Sequence, residues 1–332
     1  MSKTTDDRAE SANVDPWGRI FDDAGPAPTL DEYSRGRLES DLRGRFRDLY
    51  GPRRARRGLH WWWLAASVVA ALGLWLVFGS RPQELGRVEA VGSANSVLLG
   101  GEPLEVGASI REGDRLTVSG EGRVALAVGG VSMRVAPGEG AAADFAVLSR
   151  DRHRLVSGKL YFDRIDRGAP VVVETPWGEV RDVGTQYLIE LRDGLRVRVR
   201  EGSVELRTDG REFEVRQGYL RFLGQDGETY EETAAAADVA WDWVLDASPP
   251  FDLDGVTVAE FLTWVGRETG HRVEYAGDGW QRAAEGEVLH GSPEGLRADL
   301  ALGAVMPSTG WPYDVGEGRI LIGTSEAPGP AE

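Results

Sequence analysis

Residues able to do chemistry are few, and their spacing suits little of it. The chain has no cysteine and four histidines, His60, His153, His271 and His290. That composition excludes a disulfide framework, a thiolate nucleophile and a thiolate zinc or iron-sulfur site. No histidine pair has the three- to five-residue spacing of a metal-binding helix or finger. The G-x-S-x-G elbow, the P-loop and the Rossmann fingerprint are absent. Asp163 and Asp166 are close enough to raise a carboxylate-pair hydrolase, but Arg164 and Arg167 beside them make the segment read as a solvated loop. The expectation is a protein without metal or cofactor that is not an enzyme in the ordinary sense.

Stepping from these residues to the elements around them, one segment sets the broad class. Leu59 to Phe78 reads LHWWWLAASVVAALGLWLVF, twenty residues without Asp, Glu, Lys or Arg. At 1.5 Å per residue a helix of that length crosses about 30 Å of hydrocarbon. Its nine Leu, Val and Phe residues favour insertion by about 3 to 5 kcal/mol before polar costs. Trp61, Trp62 and Trp63 cluster at one end, where indole rings prefer the headgroup layer. A buried core helix is the competing reading. Arg43, Arg45, Arg47, Arg53, Arg54, Arg56 and Arg57 precede the run, against Arg81 and Arg87 after it. The positive-inside rule therefore places the N-terminus in the cytoplasm and exports the C-terminal bulk. A nucleic-acid patch at Arg53 to Arg57 explains less, and no direct nucleic-acid contact is expected. The formal charge of −16 agrees, because residues 1–58 carry twelve basic and eleven acidic side chains, leaving the acidity outside.

Within the cytoplasmic tail 1–58, the polar stretch to about Ala27 is too poor in apolar residues to order itself. An amphipathic helix is predicted over 29–50: Thr29 and Glu32 form a capping box, Leu30, Tyr33, Leu38, Leu42, Phe46 and Leu49 share a face, and Gly51 and Pro52 end it. Leu38, Leu42, Phe46 and Leu49 either dock on a cytosolic partner or lie on the lipid bilayer.

Residues 79–91 read as a juxtamembrane linker. From about Val88 to Leu223 the pattern turns to period two with glycine every eight to twelve residues, an all-β domain assigned to 92–224. In its clearest hairpin, Gln186 to Leu191 turns at Arg192, Asp193 and Gly194 into Leu195 to Arg200. Leu195, Val197 and Val199 face one way, and Arg196, Arg198 and Arg200 the other, the arginine row reading as a solvated face or an anion-binding one.

Residues 225–250 read as a linker ending in Ser248, Pro249 and Pro250, in which Trp241 and Trp243 are expected to pack back onto a domain. A small α+β domain is expected over 251–323, built from two similar halves. Its first helix has a Thr257/Glu260 capping box, Val258, Phe261, Leu262 and Val265 inward, and Gly270 as its stop. Its second starts at Ser292 with Leu296, Leu300, Ala304 and Val305 inward. Strands are expected at 251–254, 272–275, 287–290, 313–315 and 319–322, and 324–332 as a disordered tail. Arg319, Ile320, Leu321 and Ile322 are taken as an exposed edge able to recruit a strand from another protein.

Three strings in the β region carry a family resemblance: LVSGKLYFD at 155–163, VVVETPWGEVRDVGTQYLIEL at 171–191 and VRVREGSVEL at 197–206. They resemble the FecR family of bacterial transmembrane sigma regulators. The final domain looks like the short N-terminal domain of secretins and TonB-dependent transporters. What the resemblance implies is a single-pass inner-membrane protein with a periplasmic FecR-like β domain, a small α+β domain and a short helical cytoplasmic tail. It would relay a periplasmic signal to a cytoplasmic sigma factor as an anti-sigma factor or sigma regulator, with a periplasmic or outer-membrane protein as a further partner. Family members usually begin with a longer, tryptophan-bearing helical region, whereas only Trp17 and one helix stand here. The resemblance also implies self-cleavage at Gly184 and Thr185, in which the Thr185 hydroxyl attacks the Gly184 carbonyl before hydrolysis. The alternatives are that Gly184 is a strand kink and Thr185 a strand residue, and that the protein is a membrane-tethered scaffold without a transcriptional role.

Overall fold

The computed structural model describes residues 83–164, 168–182, 184–291 and 296–324. The 29–50 helix, the 59–78 span and the tail from residue 325 lie outside the described residues. Among those described, no helix is long and apolar enough to cross a membrane.

Period-two patterning produces two sheets, antiparallel apart from one parallel pairing, that share one strand. The first runs in the order Ser109–Arg111, Glu84–Gly92, Arg123–Val128, Val131–Ala136, the second half of Arg152–Asp163, then Gln186–Leu191, Gly194–Glu201, Tyr219–Gly224 and Thr229–Thr233. The second sheet passes through the first half of the same strand, which pairs with Ala143–Val147 on one side and, in parallel, with Val172–Thr175 on the other. The switch occurs at Gly158, where φ is +99° and an added Cβ would stand only 2.4 Å from the Ala143 Cβ, leaving no room for a side chain. Inward residues of both sheets, including Leu126, Phe162, Ile189 and Val197 from one and Leu116, Phe145, Leu155 and Val180 from the other, form one apolar core.

The strand Glu84–Gly92 pairs with two others and buries Val88, so the sheet takes in most of the expected 79–91 linker. Thr229–Thr233 is likewise an edge strand inside the expected 225–250 linker. After it the chain wraps the arginine face of the first sheet. A 3-10 turn at Val239–Trp241 and a short helix α1, Asp242–Asp246, bring Trp241 against Tyr161, Leu188 and Val244. An indole buries roughly 200 Å², worth up to about 5 kcal/mol, which is why this segment packs back rather than spanning solvent.

The C-terminal module follows the capping signals. Helix α2, Val258–Thr269, has the Thr257/Glu260 capping box, buries Val258, Phe261, Leu262 and Val265, and ends at Gly270 in the left-handed conformation. A strand at Arg272–Tyr275 leads to α3, Asp278–Gly286, which sequence patterning did not reveal, and then to α4, Ala298–Thr309. Each half thus supplies a helix followed by a strand, and the two strands Arg272–Tyr275 and Arg319–Ile322 pair in parallel.

Several expectations are corrected here. Arg319–Ile322 is the central strand of its sheet, between Arg272–Tyr275 and Tyr313–Gly316, so its backbone is paired on both sides and Ile320 and Ile322 are buried. It offers no recruiting edge. The second helix begins at Ala298, so Leu296 precedes it and is exposed; on α4, Leu300 and Ala304 are exposed, while Ala298, Ala301, Leu302, Val305 and Met306 point inward, because the stripe with five apolar residues outcompetes the one with fewer. Residues 251–254 are no strand: the Asp252 carboxylate accepts the Asp254 N–H at 3.1 Å, and Gly255 turns the chain at φ +81°. The 287–290 segment makes only a single bridge, Val288 with Thr257.

Candidate functional site

Gly184 and Thr185 sit at a corner between the sheets. The strand Gly178–Asp182 belongs to the second sheet, Gln186–Leu191 to the first, and the chain crosses between them with Gly184 at φ +92°. A second crossing, from Gly194–Glu201 to Ser203–Thr208, lies against it at Gly202, φ +80°. A Cβ on Gly202 would stand 2.6 Å from the Thr185 Cγ2 and 2.9 Å from the Gly184 carbonyl oxygen, so glycine there makes room for this junction. Gly184 is a kink, as one reading expected, and Thr185 is buried just before its strand.

The junction is held by polar side chains. The Thr185 hydroxyl donates to Asp182 Oδ1, which also accepts the Gly184 N–H at 2.9 Å. Arg164 donates from Nη1 to Asp182 Oδ2 at 3.3 Å and to the Ala169 carbonyl at 2.6 Å, and its backbone N–H donates to the Thr185 carbonyl at 3.2 Å. Asp182 has no exposed surface, so these donors take the place of water around its carboxyl oxygens.

One residue further on, Gln186 connects the junction to the C-terminal module. Its side-chain amide donates to Asp163 Oδ2 at 3.1 Å and to the Arg267 carbonyl at 3.4 Å. Arg267, in the last turn of α2, donates to both oxygens of Asp163, to Glu201 at 3.3 Å and to the Arg164 carbonyl at 3.3 Å. Burial works against the Arg267 charge, but Asp163 more than offsets it and raises the guanidinium pKa. Asp163 is therefore a buried anchor, not half of a solvated carboxylate pair; Asp166 lies outside the described residues.

The arginine row is covered rather than solvated. Arg200 is buried, stacks over the Trp241 ring at 4.1 Å, and donates to the carbonyls of Ala236 and Glu268, each at 2.9 Å. It thereby satisfies an orphan carbonyl in the last turn of α2, where a cation is electrostatically favoured. Burial lowers its pKa. Arg198 pairs with Asp238 at 2.8 Å and Arg196 with Asp193 at 2.7 Å. An anion-binding face does not form, because each guanidinium already has acceptors from the protein.

The family resemblance pointed to Gly184 and Thr185, whereas the residues alone did not single out Asp182 or Arg267 and read Asp163 and Arg164 as a solvated loop. The D-x-G-T order was the one available signal, since an aspartate two residues before a turning glycine commonly accepts its N–H. Among the described residues no group of three metal-ligating side chains occurs. Leu38, Leu42, Phe46 and Leu49 lie outside the described residues.

No protein-family model matches the chain, and no curated protein matches it. Two crystal structures of a candidate anti-sigma factor from Parabacteroides distasonis are similar to 66% of this chain and to 99% and 98% of their own, each at 18% identity and a TM-score of 0.28. The likeness to FecR regulators accordingly rests on the sequence strings.

Proposed function

We propose that this protein is a single-pass regulator of a cytoplasmic sigma factor, its 83–324 unit exported and its 1–58 segment facing the cytoplasm. The observation that carries the reading is the uncharged run at 59–78, arginine-flanked on one side, followed within a few residues by the first strand of the β unit at Glu84. The FecR-like strings support it, and so does the clamping of the C-terminal module onto the β unit, which gives an exported signal one body to act upon. The amphipathic 29–50 segment is the element assigned to the cytosolic partner. Capture of a sigma factor by residues 1–58 tests this directly: Leu42→Asp with Phe46→Asp should abolish it while membrane insertion is kept. Undiminished capture by the double variant would remove the docking helix, and no sigma factor captured by the parent would leave a tethered scaffold as the function.

A second reading, self-cleavage between Gly184 and Thr185, is favoured by one observation: the Thr185 hydroxyl is already hydrogen-bonded to a carboxylate, as a nucleophile and its base must be.

A further inference from the structure

Resting on that second reading, we infer that Asp182 is the general base of the Gly184–Thr185 cleavage and that Arg164 positions it. Nothing in the residue types alone requires this, since the carboxylate is three positions before the nucleophile along an extended chain. The left-handed corner at Gly184 folds the segment back, so that Asp182 Oδ1 accepts from the Gly184 N–H and from the Thr185 hydroxyl together. The other oxygen, Oδ2, is fixed by Arg164 Nη1, and the same residue's backbone N–H holds the Thr185 carbonyl. Arg164 thus holds the carboxylate through its side chain and the Thr185 backbone through its own N–H, and Asp182 and Thr185 are both buried.

The step balances within the chain. Asp182 takes the hydroxyl proton as Thr185 Oγ1 bonds to the Gly184 carbonyl carbon, giving a tetrahedral oxyanion. Collapse of that species breaks the bond from the Gly184 carbon to the Thr185 nitrogen, and the nitrogen recovers the proton from Asp182. The products are an ester between Gly184 and the Thr185 oxygen and a free Thr185 amine. Water then hydrolyses the ester, leaving a Gly184 carboxylate and the Thr185 hydroxyl. No oxidant, metal or cofactor enters.

A purely structural Asp182 would make the same contacts, so the test must separate turn-holding from proton transfer. Asp182→Asn keeps an oxygen able to accept from Gly184 and Thr185 but cannot take the proton. The full chain, purified in detergent, is incubated with and without hydroxylamine, and fragments are weighed by mass spectrometry, because hydroxylamine converts the ester to a Gly184 hydroxamate. The parent should give both fragments and hydroxamate. Asp182→Asn, with its melting temperature checked, should lose both by roughly 10²-fold or more, and hydroxylamine should not restore cleavage because the ester never forms. Asp182→Glu should recover part of the rate. If Asp182→Asn fails to fold because its amide faces Arg164, the Asp182→Asn/Arg164→Met pair removes that donor conflict and is read in the same way. Cleavage of either folded variant within a few-fold of the parent, while Thr185→Ala does not cleave, would overturn the role of Asp182 and leave the cleavage reading standing. A parent that yields neither fragments nor hydroxamate would overturn both.

Discussion

Arg134, on the strand Val131–Ala136, and Glu268, in the last turn of α2, meet through two parallel N–H···O bonds of 2.6 Å each, with almost no solvent exposure on either side. Burial opposes the charge on both, yet each moves the other toward ionisation: the Arg134 pKa is raised and the Glu268 pKa lowered. Ser248 adds a hydroxyl to Glu268 at 2.8 Å, and Arg134 donates further to the Val244 carbonyl at 2.9 Å. The pair joins the β unit, the α1 segment and the C-terminal module at one point.

Removing one partner leaves a buried charge without its counterpart, so Glu268→Leu should destabilise by about 3 to 5 kcal/mol. Arg134→Met combined with Glu268→Leu removes both charges and should recover much of that loss. Thermal unfolding of the two variants checks the pair, and equal losses would show that the ionic contact does not hold the module in place.

Acid sensitivity should be traceable to His153. Burial lowers its pKa to about 4; its ring stacks on Phe145 at 5.8 Å, and neither ring nitrogen has a hydrogen-bond partner among the described residues. The unfolded chain binds a proton near pH 6.5 that the folded one refuses until about 4, so the contribution to stability is whole above about pH 6.5 and is lost as pH falls toward 4. The shift corresponds to about 3 kcal/mol. His153→Leu should flatten the stability profile between pH 6.5 and 4 relative to the parent, while an unchanged slope would mean that other groups set it.

The hairpin 186–201 and helix α2 were legible because their signals are local: alternation with an Asp-Gly turn in one, a capping box and a terminal glycine in the other. Alternation also showed that Arg196, Arg198 and Arg200 share a face, but not what covers it. The cover comes from residues 234–247 and the end of α2, and the Arg134–Glu268 bond spans 134 positions with no local signature. The misreading of Arg319–Ile322 has the same origin. Its short apolar run suits an edge or a centre equally, and only the crossover that brings Arg272–Tyr275 alongside decides between them. At the candidate site, the glycine and threonine were pointed to by the family resemblance alone, whereas the proximity of Asp182 depended on a left-handed φ at Gly184.

Two glycines with nearly equal backbone angles separate strain from crowding. Gly210, φ +75°, has nothing within 4 Å of an added Cβ, whereas Gly202, φ +80°, has the Thr185 Cγ2 and the Gly184 oxygen inside 3 Å. Gly210→Ala should cost about 1 kcal/mol for the left-handed conformation alone. Gly202→Ala should cost about 2 to 4 kcal/mol, since the neighbours are backbone and a β-branched side chain with little freedom to move. Differential scanning calorimetry of both variants provides the comparison, and equal losses would show that the two corners are not packed together.

Topology is the prediction on which the proposed function depends most. Seven arginines lie within residues 43–57 and only Arg81 and Arg87 follow closely after the apolar run, an asymmetry that retains the N-terminal flank in the cytoplasm. The unit that begins at Glu84 carries the chain's acidity, and acidic residues contribute little to orientation, so the arginines decide it. Alkaline phosphatase fused after Gly86 should be active, as the enzyme requires export to fold, and a fusion ending before Arg53 should be inactive. Replacing Arg53, Arg54, Arg56 and Arg57 by asparagine should weaken the asymmetry and lower the activity of the Gly86 fusion. Activity in the Arg53 fusion but not in the Gly86 fusion would place the β unit in the cytoplasm and end the signalling proposal, while leaving the Asp182–Thr185 chemistry to be judged on its own test.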